Sequence, residues 1–383
     1  MQRPRLILAN LLTVAASVLV TLVLAEVVLR FLPVAWAPPV EPPTAENPIQ
    51  RYVASTPFTW SLGWNFYVVV HGRTNAQGFV ANYDYDAKAT PPLVAVAGDS
   101  YVEALMVPFR ETLTGRLQTM LGNRGRAYAF AQSGAPLSQY VAYAKHACAV
   151  YRPERLIVVV VGNDFDESIH AYRRRDGIYH LYPRPEGGFD YKLTPLPRPR
   201  LTERLARHSA LALYLARNVG IASLLLERIG IAHAQAAAEP PSPYVGNTEA
   251  TADAARIAEG EEVIAWFLDA LPRAACLEPR DIALVIDAPR PHLYDATTRA
   301  AARASYFGRM RSTLMAQAGA RGFKIVDMEP HFLAAHTADG VPFENPTDGH
   351  WNSHGHAVVA AAVREALTGW PPLESGQARL RSN

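Results

Sequence analysis

The sequence predicts an α/β fold, a doubly wound three-layer α/β/α sandwich on a parallel sheet, behind one apolar segment of membrane length. Three observations predict it. Short apolar runs alternate with amphipathic stretches from about Tyr52 onward, residues 6–25 are apolar almost throughout, and polar motifs follow directly on the apolar runs. With 383 residues, 49% of them hydrophobic, the chain can bury a substantial core. Its formal net charge of +2 carries no basic footprint, so a nucleic-acid partner is not expected.

Residues 6–25 are interrupted only by Asn10, Thr13, Ser17 and Thr21, and a bilayer-spanning helix needs roughly 20 apolar residues. A cleaved signal peptide has a shorter apolar core and a small-residue cleavage site. The one such site, Ala35-Trp36-Ala37, runs into Pro38-Pro39, so an anchor is the expectation. Arg3 and Arg5 precede the run, while Glu26 and Arg30 follow it. That charge distribution points to a cytoplasmic N-terminus in the inner membrane and a periplasmic, extracytoplasmic domain.

The chain divides by composition into an anchor (1–32), a proline-rich linker (33–50) that reads as a stiff spacer, one domain (51–372) and a disordered tail (373–383). Strands are expected at 93–97, 156–161, 282–287 and 324–327, and helices at 109–121, 138–150, 254–271, 297–318 and 356–367. Between the strands at 156–161 and 282–287, the third and fourth when the strand before the Gly134 loop is counted, lies an insertion, about 172–252. It holds a hairpin turning at Pro185-Glu186-Gly187-Gly188, helices within 201–231, and a surface loop at 234–252. Leu211, Leu213, Leu215, Leu224, Leu225 and Leu226 in this insertion face either core or lipid.

The strand at 93–97 leads straight into Gly98-Asp99-Ser100, which puts Ser100 at the carboxyl end of a buried parallel strand, where ligands bind in open α/β sheets. A serine hydroxyl needs an adjacent base to become a nucleophile. Taken alone, Gly-Asp-Ser reads first as a strand-to-helix turn with Ser100 as the helix cap. Before the last amphipathic helix comes Asp348-Gly349-His350, an imidazole with a carboxylate two residues away that can orient it. His350, His354 and His356 also have the spacing of a metal site, which is the competing reading. Gly134 and Asn163 each follow a further strand, and their backbone N–H and side-chain amide are candidate oxyanion donors.

Taken in order, Gly-Asp-Ser, the Gly134 loop, Gly162-Asn163-Asp164 and Asp-x-His resemble the four blocks of the SGNH (GDSL-like) hydrolase superfamily. The resemblance runs from about Arg73 to the last helix. It implies a flavodoxin-like SGNH fold with a five-stranded parallel sheet. It also implies a triad of Ser100 as nucleophile, His350 as base then acid and Asp348 as its orienter, with Ser100, Gly134 and Asn163 forming the oxyanion hole. Two departures are visible. One residue separates Asp348 from His350 where two are commoner, and Ala129 and Ala131 stand where Asn and Gly often do. Asp99, Asp164 and Asp166 are either alternative imidazole partners or loop braces, and His356 is expected to start the last helix and support the loop. Arg173-Arg174-Arg175 is either a wall of the cleft or a solvated face.

Neither a cofactor nor a metal is implied. The resemblance and the anchor together imply hydrolysis or transfer of an acyl group, acetyl foremost, on envelope or exported polysaccharide, with a membrane-bound O-acyltransferase as partner. The alternatives are an esterase for lipid or small esters and a silent carbohydrate-binding scaffold. Cys148 and Cys276 are the only cysteines. Two separate buried thiols are the simpler expectation, and a disulfide is the alternative.

Overall fold

The computed structural model describes residues 2–89, 92–220, 253–346 and 348–368. Leu224, Leu225, Leu226, the surface loop expected at 234–252 and the tail at 373–383 lie outside the described residues. The chain forms two compact units. One comprises Met1–Ala37, Pro57–His71 and Arg198–Pro240; the other comprises Pro38–Thr56, Gly72–Pro197 and Pro241–Asn383.

The larger unit is built on five parallel strands: β1 (Leu93–Gly98), β2 (Arg126–Ala131), β3 (Arg155–Val160), β4 (Ile282–Ile286) and β5 (Lys324–Asp327). Their spatial order is β5-β4-β3-β1-β2, and all four pairings are parallel. Chain order therefore reads 2-1-3-4-5 across the sheet, the doubly wound flavodoxin-like arrangement. β1, β3 and β4 are buried at every position, because both faces of the sheet are covered.

The two-residue period of a strand sends successive side chains to opposite faces. Leu93, Ala95, Ala97, Leu156 and Val158 pack with helices α2 (Leu137–Tyr151), α3 (Ala254–Ala275) and α4 (Tyr306–Ala320). Val94, Val96, Ile157 and Val159 pack on the other face with α1 (Leu113–Leu121), α5 (Met328–Asp339) and α6 (Ser353–Thr368). The predicted three-layer sandwich is the observed one.

Local differences from the sequence reading trace to capping. The helix expected at 297–318 is two helices, Ala296–Ala304 and α4, because Ser305 adopts an extended conformation and its Oγ accepts the Gly308 N–H at 3.2 Å. The helix expected from Phe109 begins at Leu113, after a 3₁₀ turn at Phe109–Glu111, where Thr112 Oγ1 accepts the Gly115 N–H at 3.1 Å. The hairpin forms as Tyr179–Pro183 against Phe189–Leu193, between β3 and β4 in the chain. From Pro38 the proline-rich stretch is folded rather than a free spacer: Val40–Glu41 pairs with Arg51–Tyr52, and Ile49 joins the core.

Cys148 and Cys276 are joined in a disulfide, which corrects the reading of two separate thiols. Cys148 lies on α2, and Cys276 is the left-handed C-cap of α3. The two helices pack side by side on one face of the sheet, which brings the Cα atoms to 5.9 Å across 128 residues of sequence. Closing so long a loop restricts the unfolded chain. Replacing both cysteines by serine is expected to lower unfolding stability by about 2–4 kcal/mol. Urea unfolding in detergent measures it, and an unchanged midpoint would contradict the expectation.

The smaller unit holds one long helix, Gln2–Leu29, of which Leu6–Leu29 is apolar enough to cross a membrane. Such a helix is consistent with an anchor or a signal sequence. Described with it are the hairpin strand Pro57–Leu62 and the short helices Leu201–Ala206 and Ala210–Leu213.

Candidate active site

Every strand of a sheet buried on both faces delivers its polar chemistry only where the strand ends. β1 ends at Gly98, where an added Cβ would come within 2.4 Å of Val102 Cγ2, so a larger residue would press on the turn that follows. Asp99 caps the single helical turn Ser100–Glu103 by accepting the Tyr101 N–H at 2.9 Å. Ser100 sits at the start of that turn with 6% of its surface exposed.

Asp348 and His350 lie on a short strand, Asp348–Trp351, that pairs with Glu344–Asn345. Residues two apart on a strand share a face, so the one-residue spacing brings carboxylate and imidazole together. Asp348 Oδ1 bonds His350 Nδ1 and also accepts the His350 backbone N–H at 3.2 Å. His350 Nε2 lies 2.7 Å from Ser100 Oγ, across 250 residues of sequence. Burial works to raise the Asp348 carboxyl, but its bonds to His350 and the charges of His350 and Arg290 outweigh that and hold it below the usual range.

Gly134 and Asn163 follow β2 and β3, the two neighbours of β1. Gly134 has φ +70°, and an added Cβ would fall 1.9 Å from Arg175 Nη1, so the guanidinium rests directly on this glycine. Ser133, just before it, is held by Glu103, whose Oε2 accepts the Ser133 N–H at 3.0 Å. Asn163 Nδ2 donates to Glu167 Oε2 at 3.2 Å, and an amide nitrogen carries a second hydrogen.

No family model and no curated protein matches the chain. It is similar in structure to a lipase from a goat rumen metagenome, at 12% identity over 74% of this chain and 100% of that one, with a TM-score of 0.38. An acetyl xylan esterase shares 10% identity over 72% of this chain and 99% of that one, at a TM-score of 0.42. The lipase/acylhydrolase from Enterococcus faecalis shares 9% identity over 73% and 96%, at 0.38. The fold is the doubly wound, flavodoxin-like α/β/α sandwich that the resemblance to SGNH hydrolases implied. Three of the four sequence blocks follow strands of the central sheet at one edge, and the fourth meets them from the separate short strand Asp348–Trp351, through His350 and Ser100.

Beneath this edge runs a buried polar hub that sequence reasoning missed. Arg290, with no exposed surface, donates through Nη2 to the Gly349 carbonyl and to the Tyr101 hydroxyl, through Nη1 to Glu344 at 3.1 Å and through Nε to Asp287 at 3.3 Å. Tyr101 itself donates to the Gly349 carbonyl at 3.0 Å, and Trp351 Nε1 donates to Asp287 Oδ1 at 3.1 Å. Gly349 lies between Asp348 and His350, so this network fixes the short strand that carries both. The only sequence signal was Asp287 and Arg290 three residues apart after a buried strand.

Asp164 braces the β3 loop, accepting the Val161 N–H at 2.8 Å and the Tyr140 hydroxyl at 2.9 Å. Asp166 pairs with Arg256. His356, fully buried in the first turn of α6, accepts the Leu113 N–H at Nδ1 at 3.1 Å, and burial lowers its pKa to about 3. It thus steadies the start of α1 as a neutral ring. His354 faces Asp339 at 3.3 Å. The three histidines turn to different partners, and among the described residues no group of His, Cys, Asp or Glu is arranged to hold a metal. Arg173 pairs with Glu167 and Arg174 with Asp176, both arginines largely exposed.

Asp99 is fully buried, with Ser100 Oγ 3.3 Å from its Oδ2. Burial raises its pKa to about 6, against the opposing pull of the Tyr101 N–H and the His350 charge. Between about pH 4 and 6 the folded chain therefore holds a proton that the unfolded chain has released, and stability falls as pH rises through that window, by about 3 kcal/mol in all. Asp99→Asn removes this loss and keeps a capping oxygen. The variant is expected to gain stability over wild type between pH 4 and pH 7.5. Urea melts at the two pH values measure the gain; an equal difference at both would contradict it.

Proposed function

We propose that this chain is a membrane-anchored serine esterase or O-acyltransferase whose nucleophile is Ser100. The single observation that carries the reading is the His350 imidazole, bonded through Nε2 to Ser100 Oγ and through Nδ1 to Asp348. As Oγ attacks an acyl carbonyl, Nε2 takes its proton, and the Asp348 carboxylate, held ionised, stabilises the imidazolium. The carbonyl electron pair moves to oxygen. The N–H groups of Ser100 and Gly134, which have no hydrogen-bond partner among the described residues, and the second Asn163 N–H receive the oxyanion. Collapse expels the alcohol, which takes the proton from His350, and leaves acyl-Ser100. Water or a sugar hydroxyl then repeats the sequence in reverse.

The acyl group is acetyl and the substrate an envelope or exported polysaccharide, with a membrane-bound O-acyltransferase as the acyl source when the outcome is transfer. Two features support work outside the cytoplasm. The apolar helix Leu6–Leu29 suits an anchor, and the Cys148–Cys276 disulfide suits an oxidising compartment. The division into an anchor and a catalytic domain belongs to the same reading.

With 4-nitrophenyl acetate as substrate, Ser100→Ala and His350→Ala are each expected to lower kcat/KM at least about 10³-fold. Asn163→Ala is expected to lower it about 10²–10³-fold. Equal rates for wild type and Ser100→Ala would leave only a binding role. Adding acetylated and deacetylated polysaccharides, with mass spectrometry of the glycan, separates transfer from hydrolysis.

A further inference from the structure

The smaller unit exposes large apolar side chains that nothing in the described chain covers, and they gather on the segments bound to the end of the apolar helix. Glu26, three residues before that helix ends, accepts hydrogen bonds from Ser209 Oγ at 2.8 Å, the Ala210 N–H at 3.1 Å and the Leu211 N–H at 2.9 Å. Arg30 donates to the His208 carbonyl at 3.2 Å. Asn218 accepts the Ala35 N–H at 3.2 Å and donates to Ser61 Oγ at 2.8 Å, and the Tyr214 hydroxyl donates to the Trp64 carbonyl at 2.8 Å. The 57–71 hairpin and the 201–218 helices are therefore fastened to the helix end itself.

A 24-residue helix is about 36 Å long, slightly more than the roughly 30 Å of bilayer hydrocarbon. Whatever is bonded to Glu26 and Arg30 then lies at headgroup level. The exposed side chains there are of the kinds that this zone accepts. Phe31 is 85% exposed and Trp64 71%, with Tyr67 and Leu32 also open. Leu201 and Leu205 lie four apart on one side of a helix exposed at every residue. Residues 198–218 carry five arginines, Arg198, Arg200, Arg204, Arg207 and Arg217, against one acid, Glu203. Apolar and basic side chains together suit acyl chains below and anionic headgroups above.

We propose that these segments form a collar seated in the interfacial layer of the bilayer, around the end of the anchor, with a preference for anionic phospholipid. The inference rests on the anchor reading above. Trp64 reports the collar directly, as one of six tryptophans in the chain.

The full chain is reconstituted in vesicles of phosphatidylglycerol and phosphatidylcholine with brominated acyl chains, and tryptophan quenching is compared in wild type and Trp64→Phe. Alkaline carbonate extraction is run on the same vesicles. The expected result is resistance to carbonate together with a wild-type component, quenched roughly twofold or more, that Trp64→Phe lacks. That component is expected to weaken when phosphatidylglycerol is left out. Resistance to carbonate with identical quenching in both proteins would overturn the collar and leave the anchor standing. Extraction by carbonate with no quenching in either would overturn both.

Discussion

One imidazole, held at both nitrogens, is the interaction on which the rest of the site depends. His350 Nε2 meets Ser100 Oγ across 250 residues of sequence, while Nδ1 meets Asp348 two residues away. The hydroxyl comes from the end of β1. The imidazole and carboxylate come from a strand 250 residues later, whose two-residue period turns both side chains the same way. A shift of one residue in that strand would send both to the wrong side at once.

The sheet explains why the meeting happens at an edge. β1, β3 and β4 are sealed on both faces, so a polar side chain finds room only where a strand stops. Each of those three strands stops on chemistry: Asp99 and Ser100, then Asn163 and Asp164, then Asp287 with Arg290. The third set touches neither hydroxyl nor imidazole. It holds the Gly349 carbonyl and bonds Tyr101 in the turn that carries Ser100, so the two halves of the site are tied by one buried guanidinium. Burying that charge is costly unless its donors are met, and carboxylates, a carbonyl and a hydroxyl meet them.

Much of this was legible in the residues. Strands that are buried throughout read as unbroken apolar runs, and the polar motifs that followed them marked the edge. The spacing of Asp348 and His350 looked irregular only while the segment was read as a loop; as a strand, it is the spacing that works. The break at Ser305 and the late start at Leu113 were hidden because a cap is decided by one hydroxyl within an otherwise helical pattern. The disulfide stood only as an alternative, and the Arg290 hub was not read at all, for a different reason. Each joins residues distant in the chain, and no periodicity reports which helix packs beside which. The bonds from Glu26 to Ala210 and Leu211 belong to the same class.

The central claim is that His350 activates Ser100, and the most direct measurement is covalent labelling by a fluorophosphonate, with the modified peptide identified by mass spectrometry. The account predicts a single adduct on Ser100, formed in His350→Ala about 10²-fold or more slowly than in wild type. An adduct elsewhere, or equal labelling rates in the two proteins, would contradict it.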